Sequence, residues 1–163
     1  MIEGRVRVGV NGYGVIGKRV ADALSLQDDM ELIGVADVAA DYRTRVAAER
    51  GYAIYASDPA RRPEMEQAGI PVAGTMDDLA GLVDVVVDCT PKGIGARNKD
   101  RYDRAGLEAI FQGGESHHLP GLSFKAQVHY AEGLDRPFAA AVSCTPPAPH
   151  GLRPRPCHPA GVG

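Results

Sequence analysis

The sequence predicts an α/β fold: a Rossmann-type, doubly wound and mostly parallel sheet with helices on both faces. Two observations carry this prediction. Short apolar runs alternate with helical segments of about 10–15 residues, which is typical of parallel sheets. A glycine-rich turn, GYGVIG at residues 12–17, joins the first apolar run to the first helical segment. The chain has 163 residues, which is about the length of one domain.

Each strand is predicted from a short run of apolar, often β-branched residues. In a strand with one exposed face, the apolar residues alternate with polar ones. In a strand that is buried on both faces, they form a continuous run. The run VVVD, which ends at Asp88, is of the continuous kind. In chain order, the predicted strands are residues 5–10, 31–36, 52–56, 84–88, 108–112 and 138–143, with a short extended piece at residues 70–72.

Each helix is predicted from apolar spacing together with start or stop signals. Gly51 and Gly69 end the second and third helices, because glycine easily adopts the backbone conformation that follows a helix. Thr75 and Asp78 have the spacing of a capping box, which starts the fourth helix. In chain order, the predicted helices are residues 14–26, 41–50, 59–68, a short helix from residue 75, and 94–105, and residues 113–137 are predicted to be a loop.

Composition excludes several classes of function. A net charge of -3 gives no electrostatic reason to bind nucleic acid or an anionic membrane. A hydrophobic content of 44% is ordinary for a soluble globular protein. No apolar run reaches the roughly 18 residues of a membrane span, and no signal-peptide core precedes the first strand. Three cysteines are too few for a disulfide framework, so the cytoplasm is the expected compartment. No metal site is expected, because the adjacent His117 and His118 lack further ligands at suitable spacing.

The glycine-rich turn predicts a dinucleotide-binding site. Gly12 permits a tight turn, Gly14 lets a pyrophosphate approach the backbone, and Gly17 lets the helix pack closely on the strand. The free N–H groups of the first helical turn, which includes Val15 and Ile16, favour the phosphate charge together with the helix dipole. The alternative is a glycine-rich turn with a structural role alone.

Asp37 is a candidate for selectivity between dinucleotides. It stands about 20 residues after Gly17, where an acidic residue binds the hydroxyls of the adenosine ribose. A carboxylate at this place repels a 2′-phosphate, so Asp37 favours NAD over NADP as the cofactor. The alternative is that Asp37 is an acid of a solvated loop.

The composition changes abruptly after Cys144. Residues 145–163 contain six prolines and no acidic residue. Such a segment cannot bury enough apolar surface to offset the entropy lost on ordering. We therefore predict a nucleotide-binding domain at residues 1–144 and a disordered, Pro-rich tail at residues 145–163.

Several segments resemble the archaeal-type, or type II, phosphorylating glyceraldehyde-3-phosphate dehydrogenases. They are the glycine-turn block at 10–35, VVVDCTPKGIGARN at 85–98, AIFQGGE at 109–115 and VSC at 142–144. The resemblance implies a homotetrameric enzyme with a Rossmann domain and a catalytic domain. Such an enzyme converts glyceraldehyde 3-phosphate, phosphate and NAD(P) to 1,3-bisphosphoglycerate and NAD(P)H.

The resemblance also implies roles for individual residues. The family's nucleophile falls on Cys144, which lies in the substrate site with Ser143. In the family chemistry the thiolate attacks the aldehyde, hydride passes to the nicotinamide, and phosphate cleaves the resulting thioester. Beyond the glycine turn, the implied cofactor contacts are Thr90, Pro91, Lys92, Gln112, Gly113 and Gly114.

The sequence departs from the family's pattern at two places. Many relatives have Thr-Lys in place of Ala36-Asp37, and that lysine can meet a 2′-phosphate, so the departure favours NAD. After Cys144 the family continues with Asn-Thr-Thr-Gly. If one base is lost from codons chosen to encode that continuation, the product reads Thr-Pro-Pro-Ala-Pro-His-Gly, as at residues 145–151. We therefore expect residues 145–163 to be a frameshift product and the catalytic domain to be missing.

Two functions are consistent with these observations. The resemblance implies an NAD(P)-dependent glyceraldehyde-3-phosphate dehydrogenase. By its own residues, the chain is an isolated dinucleotide-binding domain, because the family's histidine base and phosphate-binding residues lie beyond the nucleophile. The blocks NGYGVIGKR and QGGE disfavour a different thiol-dependent enzyme such as a semialdehyde dehydrogenase. We expect the truncated chain to be inactive.

Overall fold

The computed structural model describes residues 4–112, 123–124 and 137–141. These residues form one sheet of eight strands in the order β4-β3-β2-β1-β5-β6-β8-β7, and every neighbouring pair is parallel. In chain order, the strands are β1 Val6–Asn11, β2 Met30–Asp37, β3 Ile54–Ala56, β4 Val72–Thr75, β5 Val85–Asp88, β6 Glu108–Phe111, β7 Ser123–Phe124 and β8 Phe138–Ala141.

The helices connect consecutive strands, as a parallel sheet requires. None of those that the structure describes is long and apolar enough to cross a membrane. In chain order, they are α1 Val15–Leu24, α2 Tyr42–Glu49, α3 Arg62–Gln67, α4 Met76–Ala80 and α5 Gly95–Ala105, with a 3-10 turn at Pro59–Arg61.

The core lies in two layers because successive strand residues point to opposite faces of the sheet. On one face, Val35 and Ile54 pack with buried residues of α1, α2 and α3. On the other face, their neighbours Ala36 and Tyr55 pack with buried residues of α4 and α5. Helices therefore cover both faces, which confirms the predicted doubly wound α/β fold.

Three sequence-based predictions of elements were wrong in detail. The predicted helix at 59–68 is a 3-10 turn followed by α3, because Pro63 has no N–H to donate to the carbonyl of Pro59. The extended piece predicted at 70–72 overlaps β4 only at Val72, since this strand continues to Thr75 along β3. The loop predicted at 113–137 contains β7, which pairs with β8.

The strand order sets the position of any ligand site. From β1 the sheet extends through β2, β3 and β4 on one side, and through β5, β6, β8 and β7 on the other. The direction of winding therefore reverses between β1 and β5. Open α/β sheets bind ligands at the carboxyl ends of the strands beside such a reversal.

The start of α4 gives a direct test of the predicted capping box. The Thr75 hydroxyl accepts a hydrogen bond from the Asp78 N–H at 3.4 Å, and the Asp78 carboxylate accepts one from the Thr75 N–H at 2.7 Å. We expect Thr75→Ala to lower the free energy of unfolding by about 1 kcal/mol and Thr75→Ser to change it little, because serine caps equally well. Urea denaturation followed by circular dichroism measures both. Equal losses in the two variants would contradict a capping role.

Candidate functional site

A cleft of about 710 Å³ opens at the carboxyl edge of the sheet, beside the reversal of winding. Asn11, at the end of β1, and Asp37, at the end of β2, line it. The loop that follows β5 and one side of α5 complete the wall. The cleft therefore lies where the fold predicts a ligand site.

Steric contacts fix the glycine turn at two of its three glycines. Gly12 has a φ of +93°, and a Cβ there would lie 2.9 Å from the carbonyl of Cys89. A Cβ on Gly17 would lie 1.8 Å from the carbonyl oxygen of Gly12, so the first turn of α1 rests directly on the preceding loop. A larger residue at either position would force the backbone apart.

The third glycine faces free space. No atom lies within 4 Å of a Cβ built on Gly14, and this residue lines the cleft. Gly14 is also the N-cap of α1, where no side chain caps the helix and no acidic residue occupies the first turn. The unbonded N–H groups of that turn and the helix dipole therefore favour an anion at this point of the cleft.

The Asp37 carboxylate connects two segments of the cleft wall. One oxygen accepts a hydrogen bond from the N–H of Tyr13, in the glycine turn, at 2.6 Å. The other accepts hydrogen bonds from the N–H groups of Val38 at 2.7 Å and Ala39 at 2.9 Å, in the segment that follows β2. Three backbone donors therefore hold this negative charge at the border of the glycine turn.

A buried polar chain links the strand ends behind the cleft. Asn11 donates from its side-chain amide to the hydroxyl of Tyr102 at 2.8 Å, and its amide oxygen accepts from the Ser57 hydroxyl. Tyr102 is fully buried and donates in turn to the Asp88 carboxylate at 2.8 Å. Burial, and then the charge of Asp88, raise the pKa of Tyr102, so its phenol stays protonated and donates.

Asp88 ends β5 and is 1% exposed, so its carboxylate depends on internal donors. One oxygen accepts from both the N–H of Thr90, at 2.9 Å, and the Thr90 hydroxyl, at 2.5 Å. The other accepts from the side-chain amide of Asn98 on α5, at 2.8 Å, as well as from Tyr102. These contacts hold the loop after β5 against α5.

Cys89 follows Asp88 and packs against the core as a partly buried residue. Burial, and then the charge of Asp88, raise the pKa of the Cys89 thiol to about 12. The thiol is therefore protonated at neutral pH and is a poor nucleophile. Cys89 is therefore a packed residue of this loop.

The structure brings most of the predicted contacts in the described region to one edge. The cleft is lined by Gly12, Gly14, Asp37, Thr90 and Pro91, while Gly17 is buried behind it. The Thr90 hydroxyl donates to the Asp88 carboxylate, so a ligand in the cleft would contact other atoms of Thr90. The predictions for Gly113, Gly114, Ser143 and Cys144, and for the tail at 145–163, concern residues outside the described part of the chain.

Four predicted contacts lie away from the cleft wall. Val15 and Ile16 are 70% and 47% exposed and do not line the cleft, so their expected contribution is the backbone N–H groups of the first turn of α1. Lys92 is exposed and is not among the lining residues. Gln112 donates its N–H to the carbonyl of Asp88 at 2.7 Å, which extends the pairing of β5 with β6.

Sequence reasoning missed several residues of the cleft. Ser57 and Asp58 line it because they follow β3, and the rule that parallel strands present their carboxyl ends to a ligand could have indicated them. Arg97, Arg101 and Arg104 line it from α5. Their spacing places them on one face of a helix, which is the signal that the sequence offered. Within the described residues, no group of three or more His, Cys, Asp or Glu side chains could hold a metal ion.

Comparison with known proteins identifies homologues of the chain, although no protein-family model matches it. It is 53% identical over 138 residues to a glyceraldehyde-3-phosphate dehydrogenase of Methanobacterium bryantii, covering 84% of this chain and 41% of the relative. It is 51% identical over 140 residues to one of Thermococcus kodakarensis, covering 86% of this chain and 42% of the relative. The chain thus spans about two fifths of the length of these curated relatives and corresponds to their N-terminal part.

The solved structures support the fold. GenD2 from gentamicin A biosynthesis, in complex with NAD, superposes with a TM-score of 0.52 at 20% sequence identity. The match covers 69% of this chain and 28% of that one. At this level of identity the likeness shows the Rossmann-type fold alone.

The glycine turn yields a prediction that separates its two roles. We expect Gly17→Ala to lower the free energy of unfolding by about 3 kcal/mol or more, because its Cβ would overlap the Gly12 carbonyl. We expect Gly14→Ala to leave stability within about 0.5 kcal/mol, since its Cβ meets open space. Chemical denaturation of both variants tests this. If Gly14→Ala were as unstable as Gly17→Ala, Gly14 would also have a steric role in the fold, and the two glycines would not differ as expected.

The buried polar chain yields a second prediction. Tyr102→Phe removes the hydroxyl between Asn11 and Asp88 and leaves both groups short of a partner. We expect a loss of about 1–3 kcal/mol in the free energy of unfolding. Tyr42→Phe is the matched control, because Tyr42 is 72% exposed and its hydroxyl remains in water when the protein is folded. If the two variants had the same stability, the buried chain would contribute nothing.

Proposed function

We propose that this chain, which is homologous over most of its length to the archaeal glyceraldehyde-3-phosphate dehydrogenases, serves as their nucleotide-binding part and binds NAD in the cleft. One observation carries the proposal. The uncapped N-terminus of α1 opens into the cleft at Gly14, while Gly12 and Gly17 are fixed by backbone contacts. This is the arrangement that a dinucleotide pyrophosphate requires.

The residues of the cleft fit the parts of such a cofactor. The pyrophosphate would lie against the backbone of Gly14 and accept hydrogen bonds from the first-turn N–H groups, including those of Val15 and Ile16. The ribose of the adenosine would lie at Asp37, and the loop of Thr90 and Pro91 would face the nicotinamide half. When bound, the nicotinamide supplies the hydride acceptor of the oxidation.

Asp37 supports NAD as the preferred form. Its carboxylate is held by three backbone N–H groups, so it stays at the edge of the glycine turn. Charges of like sign about 4 Å apart repel by about 1 kcal/mol in water and by about 4 kcal/mol near a protein surface. A 2′-phosphate at this place would therefore bind more weakly than a 2′-hydroxyl, which can donate to the carboxylate.

The complete reaction is proposed for the family's full-length enzyme. There, the thiol of Cys144 would attack glyceraldehyde 3-phosphate beside Ser143, the loop of Gln112, Gly113 and Gly114 would contact the cofactor, and phosphate would release the product. The enzyme would act as a cytoplasmic homotetramer. The chain spans about two fifths of the length of its relatives, so the proposal for its own residues is binding of the dinucleotide.

Calorimetry with NAD and NADP tests the proposed function and the role of Asp37 together. We expect the purified chain to bind NAD about tenfold more tightly than NADP. Asp37→Ser should remove most of this preference, because it removes the repelling charge. Asp28→Ser is the matched control, since Asp28 is an exposed acid in the loop that precedes β2, at the opposite edge of the sheet. Failure of the chain to bind either dinucleotide would refute the proposed function, and tighter binding of NADP would refute the role of Asp37.

A further inference from the structure

We infer that Asp41 and Arg43 form a second determinant of dinucleotide choice, in which Asp41 holds the Arg43 guanidinium and withholds it from a 2′-phosphate. The inference rests on the proposed function, because it concerns the adenosine end of the same cleft. It is distinct from the role of Asp37, which acts by repulsion. The pair instead removes a cation that would attract the phosphate.

The Asp41 carboxylate is held mainly by residue 43. One oxygen accepts the backbone N–H of Arg43 at 2.9 Å, which makes Asp41 the N-cap of α2. The other accepts two guanidinium N–H groups, from Nε at 2.8 Å and from Nη2 at 2.6 Å. The hydrogen bonds with the Arg43 side chain are the main cause that lowers the pKa of Asp41, so the carboxylate is charged at neutral pH.

Arg43 stands at the border of the cleft, on the side of Asp37. It lines the cleft together with Asp37, Val38 and Ala39. Its pKa is raised first by the hydrogen bond with Asp41 and by the charge of Asp41, and to a smaller extent by the charge of Asp37. The guanidinium is therefore the cation placed to respond to a phosphate on the adenosine ribose.

Arg43 also lines a second recess, of about 390 Å³, which lies between the start of α1 and the start of α2. Gly14 lines both spaces, so the recess adjoins the cleft at the glycine turn. Lys18 and Arg19 contribute two more cations there, and Asp22, which pairs with Arg50, contributes an acid. The cations on this side of the ribose position would attract an additional phosphate. The carboxylates of Asp37 and Asp41 oppose that attraction.

The charges at the adenosine end of the cleft decide whether a 2′-phosphate is attracted or repelled. The carboxylates of Asp37 and Asp41 and the guanidinium of Arg43 together carry a charge of -1. The Asp41–Arg43 pair is partly exposed, with side chains 34% and 42% accessible, so a change of partner does not disturb the core. Removal of the Asp41 charge would bring the sum to zero and free both guanidinium N–H groups.

The substitution Asp41→Ser separates the two functions of Asp41. Serine is an effective N-cap, so α2 keeps its start, while the oxygen that holds the guanidinium is lost. We expect this variant to bind NADP about tenfold more tightly than the wild type, since a charge-assisted contact with a phosphate has this magnitude. Binding of NAD should change by less than about twofold. Calorimetry with each dinucleotide measures both, and adenosine 2′,5′-bisphosphate compared with AMP isolates the 2′-phosphate.

Two further variants assign the effect to Arg43. Arg43→Gln alone should not raise the affinity for NADP, because it leaves the carboxylates of Asp37 and Asp41 without the opposing cation. The double variant Asp41→Ser with Arg43→Gln should lose the gain in NADP affinity. Glu66→Ser is the matched control, because it frees Arg62 from a similar ion pair on α3, and neither residue lines the cleft or the recess.

The outcomes distinguish this inference from the proposed function. If the wild type binds NAD and Asp41→Ser leaves the ratio of NADP to NAD affinity unchanged, the inference alone is wrong. A gain that persists in the double variant also overturns it, since the lost charge rather than Arg43 would then be the cause. If no variant binds a dinucleotide, the proposed function is wrong and the inference with it. Asp41→Asn, which keeps the shape of the side chain and the cap, serves if Asp41→Ser does not fold, and its expected gain has the same direction.

Discussion

The buried carboxylate of Asp88 is the constraint on which the cleft depends. An ionised carboxylate removed from water costs several kcal/mol unless donors replace its hydration. Here the donors come from the loop of Thr90 and from Asn98 and Tyr102 on α5, so loop and helix must adopt one arrangement for β5 to end as it does. Tyr102 extends the constraint to Asn11 at the end of β1. The two strands that flank the reversal of winding are thereby held in one geometry.

This internal satisfaction explains how the front of the cleft can remain open. The side chains behind the glycine turn bond to each other, and Gly12 and Gly17 are fixed by the backbone they touch. The N-terminus of α1, by contrast, has no side-chain cap at Gly14. Rigid surroundings and unused backbone donors are together what a binding site for a phosphate needs, because little ordering entropy is lost on binding.

The sequence predicted the parts of the site that depend on local patterns. The glycine turn, Asp37 and the capping box of Thr75 follow from short spacings, and each lies where expected. The interaction of Asp41 with Arg43 could not be read in this way. Residues two apart do not face each other on a helix, and they meet here because Asp41 precedes α2 in an extended conformation, with a φ of -114° and a ψ of -177°. Which face of α5 borders the cleft also depends on tertiary packing, and the local spacing of residues does not reveal it.

The cations around the cleft explain why affinity and selectivity are separable in this fold. Arg101 is engaged with Asp77 and with the carbonyl of Ser57, and Arg43 with Asp41. The protein itself therefore occupies these two guanidinium groups, and in the proposed complex the backbone N–H groups at Gly14 bind the pyrophosphate that NAD and NADP share. Backbone donors cannot distinguish the two dinucleotides. The distinction falls to side-chain charges at the ribose, where a substitution can change the choice of dinucleotide and leave the common phosphate contacts intact.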